Sequence, residues 1–265
     1  MTESWEEYRI LDHPSLLNFI FYPRPDDYIL PDSATMQNLD LSVDKDVTIS
    51  CTFYFSNKNA TNVLFFHGNG ELAGEYLDMG SIFNRAGINL FVADYRGYGR
   101  SGGRPTLSNM VKDAFPIFTG FKQVLAEKGF SGGRFIMGRS LGSASAIELA
   151  AAHPDEFKGM IIESGFCDIT DLISRLGISL AQLGSNLMVS PGFERVKKIS
   201  LPSLIIHGED DSIVPLEEGR KIYNNIGSAS KKMVVIEGAD HNTIFAEGME
   251  QYLRELKLFI DQNTK

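Results

Sequence analysis

Three short polar stretches of this chain carry side chains that could do chemistry together. In Gly138-Arg139-Ser140-Leu141-Gly142 a serine sits between glycines, after the strand-like run Arg134-Phe135-Ile136-Met137 and before a helix-length segment. A buried strand that turns sharply into a helix exposes a serine hydroxyl at the turn, and small flanking residues let strand and helix pack closely. The first helical turn also offers free amides and a positive dipole end to negative charge developing beside that hydroxyl. A hydroxyl is a weak nucleophile at neutral pH, so it needs a histidine to take its proton and an acid to orient the histidine. Of the five histidines, His13 lies in a proline-rich N-terminal stretch, His153 precedes a proline at a helix end, and His67 and His207 each end a strand beside a glycine. His241 lies in a polar loop, Asp240-His241-Asn242, after the last strand. Active groups of an open parallel sheet gather beyond the carboxyl ends of its strands, which favours His241 over a buried structural histidine. For the acid, the stretch His207-Gly208-Glu209-Asp210-Asp211-Ser212-Ile213-Val214-Pro215 offers two adjacent aspartates. Asp211 is favoured, and Glu163 and Asp168 compete from the preceding strand end.

The Gly-x-Ser-x-Gly pattern is short, and it occurs twice. The second copy, Gly99-Arg100-Ser101-Gly102-Gly103, also follows a strand pattern but runs into Arg104-Pro105, where no helix can start promptly. Ser101 therefore reads as a loop residue. The glycines from Gly97 to Gly102 fit a dinucleotide fingerprint, yet they open no helix, and no acidic residue is well placed about twenty residues on. No His or Cys spacing suited to a metal is present. Arg139, beside the serine, is expected to pair with a neighbouring carboxylate rather than meet substrate.

The elements that must position these residues follow from hydrophobic patterning. Alternation over residues 36–55 predicts two antiparallel strands joined at Asp44-Lys45-Asp46, at the sheet edge. Beyond residue 60, continuous apolar runs at 63–66, 89–93, 135–137, 160–162, 204–206 and 233–236 alternate with helix-length segments at 71–86, 107–128, 141–153, 216–226 and 242–261. Such alternation predicts a parallel sheet covered on both faces. About forty residues separate the strands at 160–162 and 204–206, more than a simple crossover needs. That insertion, residues 165–200, reads as a lid in which Ile169, Leu172, Ile173, Leu176, Leu180, Leu183 and Leu187 fall on one helical face. Residues 1–35, with Pro14, Pro23, Pro25 and Pro31, read as an arm docked on the body.

Composition bounds the rest. The 265 residues, 43% hydrophobic and without a compositional break, predict a single domain over residues 1–265. A net charge of −9 disfavours nucleic acid and anionic lipid surfaces as partners. Cys51 and Cys167 are too few for a disulfide framework, so a cytoplasmic setting is expected. Glu3, Glu6 and Glu7 stand where a signal peptide would be basic, and the apolar run at 16–22 is too short to span, so no stable membrane insertion is expected.

GRSLG, HGEDDSIVP and GADHN resemble the three catalytic stretches of the α/β-hydrolase superfamily, and DYRGYGRSGG resembles a loop of its small serine hydrolases. The likeness covers roughly residues 40–262. It implies an α/β-hydrolase fold with a mostly parallel eight-stranded sheet, helices on both faces and a short helical lid. It implies Ser140, Asp211 and His241 as catalytic residues, Asp211 matching the acid position four residues after His207, with Glu209 and Asp210 as bystanders. His67-Gly68-Asn69-Gly70 resembles the family's oxyanion loop, which implies the backbone N–H groups of Asn69 and Leu141 as oxyanion donors. The expected activity is hydrolysis of small-molecule carboxylic esters of short to medium acyl chain, with Leu176 and Leu180 of the lid facing the acyl group. No cofactor and no metal are required, and the oligomeric state is left open. A thioesterase or peptidase on the same residues, or a non-catalytic ligand binder on the same fold, are the alternatives.

Overall fold

The apolar runs assemble into one sheet of eight strands in the computed structural model, which describes residues 4–175 and 191–264. The strands are β1 (Met36–Asp44), β2 (Val47–Tyr54), β3 (Thr61–Phe66), β4 (Ile88–Ala93), β5 (Arg134–Arg139), β6 (Gly159–Glu163), β7 (Ser203–Gly208) and β8 (Lys231–Ile236). Their spatial order is β1-β2-β4-β3-β5-β6-β7-β8. The β1–β2 and β2–β4 pairs are antiparallel and every later pair is parallel. The expected antiparallel pair lies at one edge of the sheet, with β1 outermost and β2 joining it to the rest through β4.

The described helices are α1 (Pro14–Ile20), α2 (Leu77–Arg85), α3 (Leu107–Lys128), α4 (Ser143–Ala152), α5 (Ile169–Arg175), α6 (Pro191–Val196), α7 (Leu216–Asn225) and α8 (Ile244–Asn263). Consecutive strand residues feed opposite faces, as the pleat requires. Leu64 and Phe66 of β3 pack with α3 and α4, while Val63 and Phe65 pack with Phe83 of α2 and with Tyr252 and Leu256 of α8. The two apolar clusters therefore lie on opposite faces of the sheet, and burial of both holds its strands in register. Among the described residues no helix is long and apolar enough to cross a membrane.

The strand order places the site. From β3 the chain moves outward to β4, then returns to β3's other flank with β5, so the order reverses between β3 and β5. A crevice opens beyond the carboxyl ends of strands at such a switch point. His67 follows β3 and Ser140 follows β5, one on each side of that reversal.

Of residues 165–200, expected to form a lid, α5 and α6 are described, and Ile169 and Ile173 are buried in the core. Residues 176–190, which include Leu176, Leu180, Leu183 and Leu187, lie outside the described residues. The N-terminal arm is docked, with Tyr8, Leu11 and Leu16 buried and the Tyr8 hydroxyl donating to Glu148 Oε1 of α4 at 2.9 Å.

Candidate active site

Ser140 follows β5 and begins a single 3-10 turn, Ser140–Gly142, that leads into α4. Its φ of 49° is left-handed, a conformation that costs a non-glycine residue about 1–3 kcal/mol and holds its side chain out of the strand line. Close approach enforces the turn. A Cβ on Gly142 would stand 2.1 Å from the Phe66 carbonyl oxygen, so only glycine lets the turn press against the end of β3. The Ser143 hydroxyl, 2.6 Å from the Ser140 carbonyl oxygen, ties the turn from the other side.

His241 lies between β8 and α8, with its Nε2 3.0 Å from the Ser140 hydroxyl oxygen and its Nδ1 2.7 Å from Asp211 Oδ2. A carboxylate only accepts, so Nδ1 carries the proton and Nε2 is left to accept from the serine. Asp211 is aimed by the backbone: its Oδ1 accepts from the amides of Ile213 at 3.0 Å and Val214 at 2.8 Å, which leaves Oδ2 for the histidine. All three side chains are buried, and burial alone would raise the pKa of Asp211. Its polar surroundings reverse that: the neighbouring His207 and His241 and the Val214 amide hold the carboxyl well below the usual carboxylate range. His207 Nε2 stands 3.5 Å from Asp211 Oδ2 but only 2.7 Å from the Val214 carbonyl oxygen, so its proton goes to the carbonyl and it braces the acid loop.

The competing acids are engaged elsewhere. Glu163 accepts from Arg139 Nε at 2.9 Å and from the Tyr252 hydroxyl at 2.6 Å. Asp168 accepts from Lys221 at 3.0 Å and from the amide of Thr170. Arg139 pairs with carboxylates, namely Glu163 and, at 2.6 Å, Glu71.

The loop at residues 67–70 is held by residues that the sequence did not single out for this task. The Tyr95 hydroxyl donates to the His67 carbonyl at 2.6 Å, and the Tyr98 hydroxyl donates to Asn69 Oδ1 at 2.7 Å. His67 Nδ1 faces the Gly68 carbonyl at 2.8 Å and Nε2 faces Asp94 Oδ1 at 3.0 Å. Both partners accept, so the ring holds both protons. Burial would lower the His67 pKa, but the Asp94 carboxylate raises it above the ordinary value. The stretch Asp94-Tyr95-Arg96-Gly97-Tyr98 thus clamps the neighbouring loop, and its two tyrosines were the available signal. The N-terminal arm completes the clamp: the Tyr22 amide donates to Asn69 Oδ1 at 2.8 Å and Arg24 Nη1 donates to the Gly70 carbonyl at 2.7 Å. Among the described residues the backbone N–H groups of Asn69 and Leu141 donate to no protein acceptor. Two fixed amides of that kind can stabilise an oxyanion, each typically contributing about 3 kcal/mol. The described residues contain no group of three or more His, Cys, Asp or Glu side chains able to hold a metal ion.

Residues 57–194 and 193–248 match the family described as serine aminopeptidase, S33. Over 222 residues the chain is 30% identical to alpha/beta hydrolase domain-containing protein 17B of Homo sapiens, an overlap of 81% of this chain and 71% of that protein. The fold is similar to that of the Pyrococcus furiosus esterase Pf2001, with a TM-score of 0.72 and 16% identity over 91% of this chain and 100% of that one. A soluble variant of monoglyceride lipase from Saccharomyces cerevisiae gives a TM-score of 0.68 and 19% identity over 90% and 98% of the two chains.

Proposed function

Because the chain belongs to the α/β-hydrolase superfamily, we propose that it is a serine hydrolase that cleaves carboxylic esters of short to medium acyl chain through an acyl-enzyme intermediate. The observation that carries this reading is the unbroken relay from Asp211 Oδ2 through His241 to the Ser140 hydroxyl, with steps of 2.7 and 3.0 Å. In this reading His241 Nε2 takes the serine proton as the hydroxyl oxygen attacks the ester carbonyl. The ionised Asp211 stabilises the imidazolium that forms, and the Asn69 and Leu141 amides stabilise the oxyanion. The imidazolium returns its proton to the departing alcohol, and a water activated in the same way releases the acid. No cofactor enters any step.

The acyl chain is assigned to the lid, with Leu176 and Leu180 as its contacts. Each added methylene then gains up to about 0.8 kcal/mol of binding until the pocket is full. The buried thiols of Cys51 and Cys167 fit a reducing, cytoplasmic setting. The match to a family described as serine aminopeptidase supports amide cleavage as the second reading. A panel of nitrophenyl esters of rising acyl length, run beside thioesters and aminoacyl nitroanilides, tests the choice. Turnover confined to nitroanilides would replace the ester reading with the peptidase one. A fluorophosphonate probe should label Ser140, and labelling that survives Ser140→Ala would overturn the nucleophile.

A further inference from the structure

Arg139 makes more directed contacts to the site than its place beside the nucleophile requires. Parallel register sets Arg139 opposite Glu163 at the ends of β5 and β6, and Nε donates to Glu163 Oε1 at 2.9 Å. Nη1 meets Glu71 Oε1 at 2.6 Å, and Nη2 donates to the backbone carbonyl of His241 at 2.8 Å. The guanidinium also lies against the loop at residues 67–70, since a Cβ on Gly68 would stand 2.7 Å from Nη1 and 2.8 Å from Glu71 Oε1. Both carboxylates are further saturated. Glu71 Oε2 accepts from the Gly68 amide at 2.7 Å and from the Tyr76 hydroxyl, and Glu163 Oε2 accepts from Tyr252 at 2.6 Å.

We propose that Arg139 is a positioning residue whose single planar guanidinium locks the loop carrying the Asn69 amide to the loop carrying His241, so that donor, nucleophile and base hold one mutual geometry. The proposal rests on the hydrolase reading for its catalytic consequence, but the mechanical link between the loops stands on the contacts alone. A guanidinium suits the task because it presents donors in fixed directions in one plane, which an ammonium cannot do. Nor does net stability account for the cluster. One largely buried cation meets the buried Glu163 and the partly exposed Glu71, and the cost of desolvating such groups often exceeds their attraction, whereas fixing a unique arrangement is a role that such ion pairs can fill. The arginine stays charged: burial alone would lower its pKa, but Glu163 and Glu71 raise it above the ordinary value.

The test compares Arg139→Lys, Arg139→Met and Glu71→Gln with the wild-type chain, reading steady-state kinetics on a nitrophenyl ester and amide hydrogen exchange in peptides over residues 67–72 and 239–243. Arg139→Lys should lower kcat about 100-fold, the scale of loss expected from misplacing groups by about 1 Å, with KM changed by no more than about threefold. Exchange should quicken in both loops together, although they are far apart in sequence. In Arg139→Met, millimolar guanidinium should restore at least about tenfold of the lost kcat, and methylammonium at the same concentration should not. If Arg139→Met does not fold, Glu71→Gln carries the test, with faster exchange expected at 67–72 and a drop in kcat of about tenfold. The proposal is overturned if kcat stays within about twofold of wild type in Arg139→Lys and in Glu71→Gln, if exchange in Arg139→Lys quickens in neither loop or in only one, or if exchange at 67–72 does not quicken in Glu71→Gln. Should the wild-type chain hydrolyse no substrate and Ser140 take no probe, the hydrolase reading fails, and the exchange data alone decide whether Arg139 links the loops.

Discussion

The chain writes Gly-Arg-Ser twice, and the fold makes two different things of it. At Gly99-Arg100-Ser101 the serine hydroxyl accepts from the Ser50 amide at 3.0 Å, and the serine's own amide returns to Tyr98. That hydroxyl is a brace holding β2 to the loop after β4. The preceding arginine reaches outward to the exposed Asp40 at 2.7 Å. At Gly138-Arg139-Ser140 the backbone is forced to φ 49°, the hydroxyl faces an imidazole nitrogen, and the preceding arginine turns inward to two carboxylates and the His241 carbonyl. Residue types are the same in both places. The difference lies in what meets the hydroxyl: an amide donor fixes it as an acceptor, whereas an imidazole acceptor can draw off its proton.

The sharpest test of this contrast exchanges each hydroxyl for hydrogen. Ser140→Ala should cut turnover by about 10⁴-fold or more with little change in melting temperature. Ser101→Ala should leave turnover within about threefold and instead cost about 1–3 kcal/mol of stability, because the buried Ser50 amide loses its acceptor. Denaturant melts and ester kinetics on both variants would read this crossed pattern, and loss of turnover in Ser101→Ala would erase the distinction.

A smaller effect is expected at the acid. Asp211→Asn should lower kcat by about 10³–10⁴-fold, while Asp210→Asn, whose side chain is exposed, should stay within about twofold. The same pair carries a pH signature. A carboxyl whose folded pKa lies below its unfolded value of about 3.9 contributes stability that is fully present above that value and lost as pH falls toward the folded one. Melting temperature should therefore drop more steeply between pH 5 and 2, roughly spanning that window, in wild type than in Asp211→Asn. Equal slopes would show that Asp211 is not selectively held in its charged form.

The smallest effects should come from arginines at the periphery. Arg24→Met, which frees the Gly70 carbonyl and the exposed Glu75, should lower kcat/KM by about threefold through a looser loop at residues 67–70. Arg100→Met removes an exposed pair and should change stability by no more than about 0.5 kcal/mol and turnover not measurably. An Arg100→Met effect as large as that of Arg24→Met would mean that the second Gly-Arg-Ser stretch matters to the site in a way its contacts do not reveal.

What could be read from the sequence was whatever a residue declares within its own neighbourhood. The runs ending at Phe66, Ala93 and Glu163 are apolar on both faces, so they announce parallel strands without reference to any partner. The break at Pro105 separated Ser101 from Ser140 for the same local reason. Asp211, His241 and Ser140 could be named because each follows a strand in a recognisable stretch, although nothing local says that their polar atoms stand within 3.0 Å. The tertiary structure alone decided which carboxylates Arg139 meets, that the arm's Tyr22 and Arg24 grip the loop after β3, and that Tyr95 and Tyr98 brace it from the other side. Those contacts join residues that are remote in sequence, and they depend on strand order and on separations of a few tenths of an ångström. Hydrophobic periodicity is set within a few residues and survives such shifts, whereas a directed hydrogen bond does not.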